Sequence, residues 1–176
     1  MDTLTGVGVL ILRIVLGTVF LGHGSQKLFG WFGGHGLAGH AKFMEALGLR
    51  PPRLYGMISG LGEFFGGLGV LAGFLTPLAV WGIIGTMAVA AIKVHWAHGF
   101  WNHDGGLEYP LVLATLAFVV GLVGPGRFSV DHALAIRLPE PLTLAAGFVL
   151  TALFVLYAVT RPAPPKPVGD QDPRSR

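Results

Sequence analysis

The chain contains no cysteine. That excludes disulfides, thiolate metal sites and any thiol relay made by this chain itself. Charge is scarce as well: only 12% of the 176 residues are Asp, Glu, Lys or Arg, against roughly 25% in a soluble domain. Water is therefore not the solvent for most of this surface. Recognisable catalytic motifs are missing too. No phosphate-cradling glycine loop leads into a helix, HExxH does not occur, and no nucleophile elbow supports Ser/His/Asp hydrolysis. The net charge of +3 comes from Lys and Arg in loops and tail, not from a basic stripe with stacking aromatics. Nucleic acid is accordingly not an expected partner, and juxtamembrane contact with anionic lipid is the plainer reading.

What the chain does have is apolar length. Five stretches, at residues 4–27, 54–74, 78–94, 109–123 and 142–159, read as membrane spans. A spanning helix needs about 20 residues, so five spans with their loops nearly exhaust the chain. The fold class is all-α, a polytopic transmembrane helical bundle. Thr76-Pro77 joins the second and third spans in a tight hairpin, and Gly124-Pro125-Gly126 ends the fourth. Residues 1–6 carry no positive charge and the first span is long, so a cleaved signal peptide is not expected. Between spans 1 and 2, Leu37, Ala41, Met44 and Leu47 recur at helical spacing with Lys42 and Glu45 opposite, the pattern of a short interfacial helix. With five spans, nine Lys and Arg fall on the side of loops 28–53 and 95–108 and the tail, and two on the other. That bias makes the first side cytoplasmic and leaves the N-terminus outside.

Ionisable groups interrupt the spans. Arg13 lies inside the first and Glu63 near the middle of the second. Such a group costs about 2.5–3.5 kcal/mol on insertion scales and normally faces the bundle interior and a partner. In span 2, Gly56, Ser59, Gly60, Glu63, Gly66 and Gly67 share one face, so close packing carries the carboxylate inward. Two readings stand: simple packing with Glu63 protonated or paired, or a functional buried ion pair of Glu63 with Arg13. A second polar set gathers at the opposite ends of spans 1, 3 and 4: His23, Lys27, Lys93, His95, Glu108 and Tyr109. Lys27 and Lys93 also suit snorkelling, and Trp31, Trp96 and Trp101 suit an interfacial aromatic belt. His95 and His98 could share a metal but lack a clear third ligand, and Lys27 and Lys93 crowd a haem held by His23 and His95. A cationic, aromatic-lined cleft open to lipid better suits a planar molecule with carbonyl oxygens, such as a quinone, or an anionic head group. Imidazole would donate to a carbonyl and exchange its proton, and Lys or Arg would stabilise negative charge.

The run from Arg13 to Lys27 with Gly22-His23-Gly24 and Lys27-Leu28-Phe29-Gly30 resembles the DoxX family of small membrane proteins. So do Glu63 among glycines, His95 with Gly99-Phe100, Glu108-Tyr109-Pro110, and Gly124-Pro125-Gly126-Arg127-Phe128-Ser129 ahead of Asp131. The resemblance implies a four-helix membrane bundle, here residues 1–135, extended by a further span in 136–160 and a proline-rich tail at 161–176 expected to be disordered. It also implies a subunit of a membrane redox complex. On this reading Arg13, His23, Lys27, Lys93 and Tyr109 bind the quinone, while His95, Glu108 and Glu63 handle protons. Without Cys or a cofactor motif, a redox partner protein in the inner or plasma membrane would supply electrons. Two alternatives remain: a non-enzymatic anchor that recruits a soluble partner through the interfacial helix and the cytoplasmic loops, and a small-solute transporter centred on Glu63.

Overall fold

The computed structural model describes residues 2–160, and every regular element among them is helical. Helix α1 (Thr3–Phe29) starts where the Asp2 carboxylate accepts from the Thr5 amide at 2.9 Å and stops at Gly30, which takes a left-handed conformation. Its 27 residues span about 40 Å at 1.5 Å per residue, beyond the roughly 30 Å hydrocarbon core. Both ends therefore reach headgroup depth. Short α2 (Gly36–Ala46) packs against α1 and α3 (Pro52–Ala72). Helix α4 is α-helical over Thr76–Ala90, widens to a π turn over Ala91–His95, and closes as a 3₁₀ turn over Trp96–His98. Helix α5 covers Glu108–Val123, α6 is the single turn Val130–Ala133, and α7 is Glu140–Val159. The tail at 161–176 lies outside the described residues.

Four of these rods are long and apolar enough to cross a bilayer by themselves; α5, at 16 residues, is shorter. Connectivity nevertheless carries α5 from one face to the other. It starts after α4 has ended, and the segment that follows it is bonded to the far turn, where the Asp131 amide donates to Gly73 O at 2.9 Å. The chain is a multi-pass membrane protein.

The bundle is built on the α1–α3 seam. The small-residue face expected on α3 is the buried one: Gly56, Gly60, Glu63, Gly66 and Gly67 all lack solvent access. A β-carbon on Gly24 would lie 2.4 Å from the Phe64 amide, and one on Gly67 2.4 Å from that of Leu21. Glycine is what lets these backbones meet. Around the seam, Leu16, Phe20, Val70, Val80, Ile83, Leu113 and Val120 form the main core.

Arg13 closes one end of it. The side chain is buried and all its bonds go to backbone: Nε to Val70 O, Nη2 to Leu71 O, and Nη1 to both Pro125 O and Phe128 O, at 2.8–2.9 Å. Val70 and Leu71 belong to the last turn of α3, whose carbonyls have no intrahelical donor and form the negative end of the helix dipole. Asp131 does the reverse job, taking the amides of Leu75 and Thr76 at 2.8 and 3.1 Å where α4 begins. The expected Arg13–Glu63 pair does not form. Glu63 sits seven residues before Val70 on α3, about 10 Å along the axis, and guanidinium geometry is satisfied by the helix end instead. The expected Gly-Pro-Gly stop does hold: α5 ends at Val123 and the released segment folds under Arg13.

Replacing Arg13 by Met removes four hydrogen bonds to backbone carbonyls, the one to Val70 O fully buried, and takes a positive charge from the neighbourhood of Asp131. We expect a loss of about 3–5 kcal/mol, read as a lowered melting temperature in detergent by circular dichroism, with Arg13→Lys recovering part of it. An unchanged melting temperature in Arg13→Met would refute this role.

Candidate functional site

At the other end of the seam, Lys27 in the last turn of α1 reaches Glu63 of α3. Nζ lies 2.5 Å from Oε1. The carboxylate is 1% exposed and the lysine side chain 26%, so one member is fully desolvated while the other reaches outward. The second carboxylate oxygen, Oε2, has no hydrogen-bond partner among the described residues. One turn earlier on α3, on the same face, Ser59 Oγ lies 2.6 Å from Nε2 of His40. His40 belongs to the inner face of α2, whose amphipathic pattern the fold reproduces. Met44 is buried, Leu37, Ala41 and Leu47 are half-buried, and Lys42 and Glu45 are exposed. Burial, reinforced by the positive charge of Lys27, pushes the His40 pKa down to about 4. The imidazole is therefore neutral at physiological pH, donating from one nitrogen and accepting at the other.

Lys27, His40 and Ser59 line a cavity of about 160 Å³. Its remaining wall is apolar or aromatic, with Phe43, Met44, Tyr55 and Phe154 prominent, and Thr86 adds a hydroxyl. The π turn of α4 shapes one side, where Ala90 and Val94 complete the wall; such turns interrupt α-helices most often at functional sites. A second, more open recess of about 340 Å³ adjoins it across Lys27, His40 and Phe43 and brings in Gln26 and His35. The loop that floors this recess is bent through Gly30, Phe32 and Gly33, all with positive φ, and is held where Gln26 Nε2 donates to Phe32 O at 3.2 Å.

The residues expected from sequence are therefore split. Lys27 and Glu63 are together, but with each other rather than with Arg13. His23 is exposed on the outside of α1. His95 donates from Nδ1 to Gly105 O at 2.6 Å, and the Glu108 carboxylate accepts from the Asn102 amide at 2.9 Å. These two residues close the 99–107 loop. Lys93 is half-buried in the π turn, and Tyr109 is exposed. His98 is bonded to Val94 O, and among the described residues no cluster of three metal-ligating side chains forms. His40 is the residue that sequence reasoning missed. Its position four before Met44 and three after Leu37 was the available signal, since it places an imidazole on the stripe that must face inward.

Comparison with known proteins gives the family. The DoxX family model matches residues 8–96, the segment holding Arg13, Lys27, His40, Ser59 and Glu63. The chain is 30% identical over 139 residues to the inner membrane protein YqjF of Escherichia coli (strain K12), covering 76% of this chain and 97% of that protein. No solved structure matches.

Two outcomes follow. Lys27→Met alone leaves a buried carboxylate unpaired and should cost about 3–5 kcal/mol, whereas the double variant Lys27→Met/Glu63→Leu should recover most of it; a thermal double-mutant cycle with additive losses would exclude the pair. For His40, the native pKa near 4 lies below the unfolded value of about 6.5. The unfolded chain then binds more protons between those limits, so stability is full at neutral pH and falls as pH drops from about 6.5 toward 4. The loss should be of order 2–3 kcal/mol and largely absent in His40→Gln; parallel melting profiles for the two proteins over that range would count against it.

Proposed function

The chain belongs to the DoxX family of integral membrane proteins, and on that premise we propose that its polar cavity holds the ring of a quinone as part of a membrane electron-transfer complex. One observation carries this reading: an ammonium, a neutral imidazole and a hydroxyl converge on an otherwise apolar space of about 160 Å³. Cavities of about 150 Å³ in other proteins take up benzene, so a single substituted ring matches the volume. Lys27 gives one donor to Glu63 and has others for a ring carbonyl. His40 and Ser59 add an imidazole and a hydroxyl to the polar lining. Glu63 is a positioning residue: its Oε1 fixes the ammonium at the cavity wall.

When bound, a quinone accepts two electrons and two protons. The chain's own groups can bind it, exclude water and deliver protons, while electrons come from a partner redox protein. We place the cavity at the cytoplasmic leaflet with the N-terminus outside, on the nine-to-two excess of Lys and Arg on the loop side. The binding set thus becomes Lys27, His40 and Ser59, with His95 and Glu108 maintaining the neighbouring loop. On the anchor alternative, Met44 is not part of the docking surface, because it is buried against Leu49 and Tyr55.

Purification in mild detergent should co-extract quinone, and titration with a short-chain benzoquinone should quench tryptophan fluorescence saturably. Ser59→Ala should weaken binding roughly five- to tenfold, the worth of one hydrogen bond. A wild-type protein with no saturable binding would sink the proposal.

A further inference from the structure

The inner wall of the ring cavity is thin. Ile58, Thr86 and Phe154 line the cavity on one side and, on the other, a separate crevice of about 270 Å³ between α3, α4 and α7. Gly62 on α3 and Gly82 and Gly85 on α4 line its back, where the α3 and α4 backbones pack directly against each other. Gly62 and Gly82 also border a larger apolar groove of about 850 Å³ on the outer surface of the α3–α4 hairpin, where Leu61, Phe65 and Leu78 are exposed. Outward from Lys27 and His40 the polar groups give way to a crevice walled by apolar side chains with Thr86 and Thr151, and the groove lies beyond the Gly62–Gly82 backbone contact.

Helix α7 closes this route and is lightly held. Only 6% of its apolar window is buried, against 33–44% for the other three long spans. Its contacts concentrate on α4. Its tightest points are Gly147, set so close to the Trp81 indole that no β-carbon would fit, and Ala158, fully buried near Leu49 and Tyr55, with Leu144 and Phe148 packing more loosely against the core and Trp81. Phe154 sits between those points, its ring centroid 6.2 Å from that of Tyr55. Of the three residues in the partition, Phe154 belongs to the lightly packed helix, so a rotamer change there and a small shift of α7 open it between Ile58 and Thr86.

We propose that the crevice receives the hydrocarbon tail of the quinone whose ring occupies the cavity, with access from the bilayer past Phe154. This rests on the ring assignment above and narrows the substrate class to membrane-dissolved, tailed quinones. The occupant follows from adjacency: the crevice shares three wall residues with the ring cavity, so a molecule with a polar ring and an apolar chain reaches from one into the other without a turn into water.

The test uses the full chain in lipid nanodiscs and two probes, a dimethoxy-methyl-benzoquinone without a side chain and the same ring carrying a decyl chain, with concentrations referred to the bilayer. The decyl compound should bind at least about tenfold more tightly, as expected when a few methylenes are buried. Thr151→Phe, which plugs the crevice, should abolish that gain and leave the tailless compound within about twofold of wild type. Leu153→Phe, on the exposed side of α7, should keep the gain. A diazirine at the end of the decyl chain should label residues 58–62 and 150–154 of the wild-type protein, which decides the matter even if Thr151→Phe does not fold. If the tailless ring binds but the tail adds nothing, or adds equally to both variants, or labels only outward residues such as Leu156, the tail site is wrong and the ring site stands. If neither probe binds, the ring assignment fails and takes this one with it.

Discussion

Every cation inside hydrocarbon must find its counterpart within the chain, and in this protein both cations of α1 find theirs on α3. Arg13 binds the carbonyl end of that helix, and Lys27, fourteen residues on or about 21 Å away, binds Glu63. Between them the backbones touch through Gly17, Gly24 and Gly67. The seam is thus pinned electrostatically at two levels and zipped by glycine between. The cavity, the α2 cover and the far turn with Asp131 are all located relative to it.

Much of this could be read in the sequence. Hydropathy placed the long helices to within a few residues, the small-residue face of α3 was identified from spacing, and the stripe of α2 was the one that packs. The partner of Glu63 was not, because periodicity reports which side a residue faces and says nothing of its depth. Once Gly17 lies against Gly67 and Gly24 against Phe64, the antiparallel register brings Lys27 level with Glu63 and Arg13 level with Val70 and Leu71. Charge pairing was inferred where register decided. The grouping of His95 and Glu108 with Lys27 failed for a related reason. A shared membrane face is a wide surface, and these two side chains satisfy backbone groups of their own loop. Conversely, His40 was overlooked because the apolar stripe was read from its hydrophobic members alone.

The site's chemistry follows from contrast within a short distance. A buried carboxylate holds the ammonium beside it, and that ammonium in turn helps to hold a nearby imidazole neutral. Charge is concentrated on one edge of the cavity while the opposite edge consists of aromatic and aliphatic side chains. Such a division orients a small amphiphile: hydrogen-bonding atoms turn to Lys27, His40 and Ser59, and the remainder turns toward Phe154 and the helices behind it.

The brevity of α5 has an effect on the surroundings. Sixteen residues give a rod of about 24 Å, some 6 Å less than a typical hydrocarbon core. Its outer surface exposes Leu111, Val112, Phe118 and Leu122 to acyl chains. Lipids along that flank must compress to keep Glu108 and Gly124 at the polar boundary, while those beside the longer α1 need not. The protein therefore imposes an asymmetric hydrophobic mismatch on its annulus, a built-in preference for thinner bilayer on one side.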